Sequence, residues 1–157
     1  ANKFCWQTRL RGNFMQTIDQ ALNRLEKSKF RSSFFLDDKD RRYVEQKGRD
    51  TIRRHAEDFI RDRLAPAFPK SDGSQTPTKG HPVFKAQHAC GCCCRNCLEK
   101  WYKVKKGKEL TDIQQKKIVD LLMAWIERQI SMQHTSGAEK GQSDSLSVNA
   151  STGVGRP

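Results

Sequence analysis

Five of the chain's six cysteines and two of its four histidines fall in one 22-residue stretch, His81 to Tyr102, which reads HPVFKAQHACGCCCRNCLEKWY. Packing alone rarely concentrates thiols this way, whereas thiolate and imidazole are the ligands that zinc prefers. Cys94 and Cys97 form a Cys-x-x-Cys pair, and His81 and His88 lie upstream of it, so these four can supply a tetrahedral set, with Cys93 as an alternative for one histidine. Adjacent Cys92, Cys93 and Cys94 cannot all pair as disulfides without strain, which favours ligation or free thiols in a reducing compartment. The expectation is a zinc-centred protein.

The rest of the chain sets the scale of the fold. At 157 residues it predicts one domain, and 35% hydrophobic residues with a mean hydropathy of −0.85 promise a modest core that a metal would reinforce. No apolar run approaches the roughly 20 residues that cross a bilayer, and ANKFCWQTRLRG at the start lacks the apolar centre of a secretory signal. The expectation is a soluble, intracellular (cytoplasmic) protein without a membrane partner. Thirty Lys and Arg against eighteen Asp and Glu give a net charge of +12, which points toward polyanionic partners.

Periodicity predicts a mainly α fold with no alternating strand pattern and no repeat. Phe14, Ile18, Leu22 and Leu25 stripe a first helix from Asn13 to Lys29, with Asn13 as cap. Phe30, Phe34, Phe35 and Leu36 read as core anchors. A second helical region runs from Asp37 or Asp38 to about Leu64, broken or kinked near Gly48. Pro and Gly punctuate residues 65–82 as a loop. Pro82 then opens a short helix to Ala89, and another begins near Cys93 or Cys94, with Cys94, Cys97, Leu98 and Trp101 on one face. Thr111 and Gln114 form a capping box for a last helix ending near Ser131. The division is a basic arm over 1–12, one domain over 13–132, and a disordered tail over 133–157 whose Ser, Gly, Asn and Thr composition cannot offset the entropy of ordering.

Ordered motifs run through the middle of the chain: SKFR at Ser28–Arg31, TIRRHAEDFIRDRLAPA at Thr51–Ala67, DGSQTP at Asp72–Pro77, GHPVFKAQHA at Gly80–Ala89, CCRNCLEKW at Cys93–Trp101 and MAWIERQ ending at Gln129. By these the chain resembles, from about Leu25 to Gln129, the domain of unknown function 4186, a family of small microbial proteins. The resemblance implies that His81, His88, Cys93, Cys94 and Cys97 are the candidate site positions. In that family threonines often stand where Cys90 and Cys92 are here, so these two look like extra thiols, and a histidine often follows the tryptophan where this chain has Tyr102. The family name assigns no activity.

For function, Lys100, Tyr102, Lys103, Lys105, Lys106 and Lys108 form a candidate nucleic-acid edge, in which lysines neutralise phosphates and Tyr102 stacks on a base. Arg41, Arg42, Arg49, Arg53, Arg54, Arg61 and Arg63 either extend it or, since Asp50, Glu57, Asp58 and Asp62 alternate with them, form a solvated ion-pair face. The leading expectation is a structural-zinc basic module that binds nucleic acid or a ribonucleoprotein. Three others stand beside it: a hydrolase-type metalloenzyme with an open zinc position and Glu57, His55 or Glu99 as base; a protein-interaction subunit for an acidic partner; and a redox pair with Cys94 attacking and Cys97 resolving. His55 and Glu57 with Cys94 and Cys97 also match the H-x-E and C-x-x-C elements of zinc deaminases, although the expected proline and the strands are missing.

Overall fold

The structure is a computed structural model that describes residues 17–136, with side chains as far as Met132. Among the described residues it is helical and contains no strand. The order is α1 (Ile18–Glu26), a 3-10 turn (Arg31–Ser33), α2 (Asp38–Lys47), α3 (Arg49–Phe59) running on into a π-helical turn (Ile60–Leu64), α4 (Pro82–Ala89), α5 (Arg95–Tyr102) and α6 (Asp112–Ser136). The expected arm over 1–12, the Asn13 cap, Phe14 and nearly all of the expected tail lie outside the described residues.

Caps fix the helix starts. Thr17 accepts from Gln20 N and Gln20 returns a bond to Thr17 N, so a capping box starts α1. Asp37 and Asp40 repeat the device at α2, and Thr111 and Gln114 repeat it at α6, as the sequence predicts. Gly48, at φ +83°, divides the second helical region cleanly into α2 and α3, because that backbone conformation suits glycine and cannot continue a helix. Helix α6 runs past the expected end near Ser131 to Ser136; no Gly or Pro interrupts the chain between them.

The long helix α6 is the spine, packed against α1, α3 and α4. Ile118, Leu121, Leu122 and Ile126 from α6 meet Leu22, Leu36, Ile52, Ile60, Leu64, Val83 and Leu98 in one core. Two expected anchors fail to join it: Phe30 and Phe35 are 59% and 63% exposed. The 3-10 turn points Leu36 inward and leaves Phe34 half-buried, so the neighbouring rings face out. No described helix is long and apolar enough to cross a membrane.

Candidate metal centre

The cysteine stretch is shaped by the end of α4. Cys92 N donates to Gln87 O at 2.8 Å and Gly91 N to His88 O at 3.3 Å, the bond pair of a Schellman turn. Gly91 holds its left-handed position at φ +67°, and a Cβ there would lie 2.7 Å from Trp101 Cδ1. Only glycine lets the chain turn this tightly beneath the indole. The turn delivers Cys94 to the N-cap of α5, where its sulfur accepts from Cys97 N at 3.4 Å.

As a result Cys93, Cys94 and Cys97 present their sulfurs within 4.8 Å of one another, with Cys97 Sγ 3.5 Å from Cys93 Sγ and 3.4 Å from Cys94 Sγ. Their opening onto the N-terminus of α5 favours negative charge. A cation completes the cluster: Arg31 Nη2 donates to Cys97 Sγ at 3.1 Å, while Nη1 donates to Cys93 Sγ at 3.6 Å and to His88 O at 2.6 Å. Arg31 is itself buried. Burial opposes its charge, and the bonds to Cys93 and Cys97 outweigh that opposition and raise its pKa. The hydrogen bond from Cys97, aided against burial by Arg31, lowers the Cys93 pKa to about 7. Sharing that proton with Cys93, together with burial, pushes Cys97 up, and burial raises Cys94.

A second buried arginine follows Cys94 in the chain and ties down the neighbouring segments. Arg95 donates through Nη1 to Leu64 O and Pro66 O at 3.4 and 2.8 Å, and through Nη2 to Lys105 O and Lys108 O at 3.1 and 2.7 Å. The π-helical turn ending at Leu64 leaves carbonyls free of intrahelical donors for this clamp. The preceding loop is tied down as well, through Thr76 Oγ1 to Cys93 O at 2.8 Å and Asp72 Oδ1 accepting from Arg95 N at 3.1 Å.

The histidines do other work. His81 Nδ1 accepts from Val83 N at 3.0 Å and so caps α4. That leaves the proton of the neutral ring on Nε2, which donates to His55 Nδ1 at 3.0 Å. Rings of Tyr43, Phe59 and Phe84 surround His81, and burial, then the nearby His55, lowers its pKa to about 4. His88 Nε2 donates to Thr76 O at 3.0 Å and its ring stacks on Phe34. Of the five expected ligand positions the structure therefore gathers Cys93, Cys94 and Cys97, and it holds His81 and His88 in bonds to protein groups. Cys90 and Cys92 are wholly buried apart from the cluster, and burial raises both thiols.

The expected nucleic-acid edge is altered in one respect. Lys100, Lys103, Lys105, Lys106 and Lys108 are exposed, and Arg95 draws the carbonyls of Lys105 and Lys108 inward. Tyr102 is 1% exposed and its hydroxyl donates to Cys90 O. It is a core residue and cannot stack on a base. Most of the arginines of α2, α3 and the π-helical turn form the ion-pair face: Arg41 with Asp38, Arg49 with Glu127, Arg53 with Asp120 and Glu57, Arg61 with Asp58 and Asp62. Sequence reasoning attached no role at the site to Arg31, Thr76 or Asp72. Their only signal was membership in the motifs SKFR and DGSQTP.

A family model described as Domain of unknown function (DUF4186) matches residues 19–127, and no solved structure matches the chain.

Proposed function

Since the chain belongs to the DUF4186 family, whose description carries no activity, we propose a function from its own atoms: a zinc-stabilised basic protein that binds nucleic acid or a ribonucleoprotein. The observation that carries the metal is the convergence of the Cys93, Cys94 and Cys97 sulfurs. In a tetrahedral zinc site with bonds of 2.3 Å the sulfurs stand about 3.8 Å apart, close to the spacing here. Three thiolates on a divalent ion leave one negative charge, and the Arg31 guanidinium is placed to balance it. Zinc bound here would tie the end of α4 to the start of α5 and make folding depend on ligation.

The nucleic-acid part rests on the net charge of +12 and on the exposed lysines at 100, 103, 105, 106 and 108. The same surface would serve an acidic protein partner, and salt dependence separates the two only when combined with direct binding to an oligonucleotide. The test is elemental analysis of the purified chain alongside anisotropy titration with a labelled oligonucleotide at several salt concentrations. One equivalent of zinc and affinity that falls steeply with salt are expected. A chain without metal whose thiols react identically with and without chelator would overturn the metal centre, and a flat salt response would overturn the partner.

A second reading is favoured by one fact: among the described residues only three ligand atoms meet, which leaves a coordination position for water as in hydrolytic zinc sites. The candidate bases are otherwise engaged, His55 with His81, Glu57 with Arg53 and Glu99 with Lys106 N, and this favours the structural role.

A further inference from the structure

With Tyr102 in the core, the lysine loop offers charge without a ring for a base to lie on. A cavity elsewhere in the described molecule has both. It occupies about 830 Å³ between the 3-10 turn, α2 and the chain entering α4, a volume suited to a small organic ligand or one nucleotide unit.

Its walls combine an aromatic surface with unspent charge. Phe35 is 63% exposed, and Tyr43 lines the same hollow. Both carboxylates of the lining, Asp37 and Asp40, are committed to Lys85 and to the capping box of α2. Lys39, Arg42 and Lys79, in contrast, are exposed and without a hydrogen-bond or ion-pair partner among the described residues. Three unpaired cations around an open ring attract an anion that carries a flat apolar body. Arg42 stands out for this reason from the other arginines of its helical region, most of which are in ion pairs or hydrogen bonds.

We infer that this groove is a nucleotide-binding site, with a base stacked on Phe35 and phosphate held by Lys39, Arg42 and Lys79. It rests on the nucleic-acid reading above and moves the point of base contact from the lysine loop to the opposite end of α4. The shared chemistry is base plus phosphate, available from a single strand or from a free nucleotide.

The experiment titrates the zinc-loaded full chain with a fluorescent oligo-uridylate of roughly ten nucleotides, and separately with uridine monophosphate as competitor. Phe35→Ala is expected to weaken oligonucleotide binding about five- to a hundredfold, the range for loss of one stacked base, with helicity and metal content unchanged since the ring is 63% exposed and outside the core. Arg42→Ala with Lys79→Ala is expected to flatten the plot of log affinity against log salt by about 1.4, two phosphate contacts on a single strand. Competition by the monophosphate would assign the site to free nucleotides, and its failure beside tight oligonucleotide binding would assign it to a strand. If both groove variants bind like the parent while Lys103→Ala with Lys105→Ala and Lys108→Ala does not, the groove inference falls and the lysine edge stands. If the parent chain binds nothing at low salt, both fall.

Discussion

Arg31 Nη2 lies 3.1 Å from the sulfur of Cys97 across 66 residues of sequence, so the 3-10 turn after α1 supplies the counter-charge for thiols at the start of α5. The same guanidinium bonds the last turn of α4 through His88 O. One side chain thereby joins three segments and sets the electrostatics of the candidate metal centre.

Arg31→Gln should weaken metal binding about ten- to a hundredfold, as loss of a group bonded to the ligands generally does. It should also move the Cys93 thiol, held at about 7, toward the ordinary cysteine range, since one of the bonds that favours its thiolate is gone. Competition with a chromophoric chelator measures the first effect and thiol reactivity against pH the second. Arg31→Lys should recover part of the affinity, because charge survives and the fork does not.

Cys97→Ser should abolish stoichiometric metal binding, whereas Cys90→Ala should leave the metal in place and cost on the order of 1 kcal/mol of core packing. Elemental analysis of the two variants distinguishes a ligand from a buried thiol. Stripping the parent with chelator should lower its melting temperature and loosen α5, as read by amide exchange.

Stability should fall in acid through His81. Its folded-state pKa of about 4 lies below the unfolded value near 6.5, so between these pH values the unfolded chain takes a proton that the folded state refuses. The contribution is complete above about 6.5 and is lost as pH drops toward 4, by about 2 kcal/mol after allowance for solvent screening. Protonation at Nδ1 also sets a proton against Val83 N–H, which now donates there. Denaturant unfolding at a series of pH values should show this slope, and His81→Asn, which keeps an acceptor for the cap, should flatten it.

Arg95→Met should be among the most damaging substitutions, about 3–5 kcal/mol, because the carbonyls of Leu64, Pro66, Lys105 and Lys108 all lose the donor that this buried guanidinium supplies. Loss of order should spread to the lysine loop, and proteolysis near Lys105 measures it.

Much of this was legible from local pattern. The capping box at Thr111 and Gln114, the proline opening α4 and the break at Gly48 all depend on residues a few positions apart, and each appears where the sequence puts it. So does the cysteine cluster, in which all three sulfurs come from five consecutive residues. What sequence missed depends on which partners the folded chain sets against each side chain. His81 carries the residue type of a zinc ligand, yet His55, 26 residues before it, and the Val83 amide occupy both of its nitrogens. Tyr102 follows a lysine-flanked tryptophan, and only the turn at Gly91 brings Cys90 O under its hydroxyl.

The sequence by itself determined an α-helical chain with thiols crowded at a helix start, since helical periodicity, caps and Cys spacing act over one or two turns. Tertiary structure decided which groups are already spent: which histidines are bonded, which aromatics are buried, which cations are paired, and that Arg31 faces the sulfurs. A side chain's remaining capacity to bind depends on everything packed around it, and those neighbours come from segments that only the folded chain brings together.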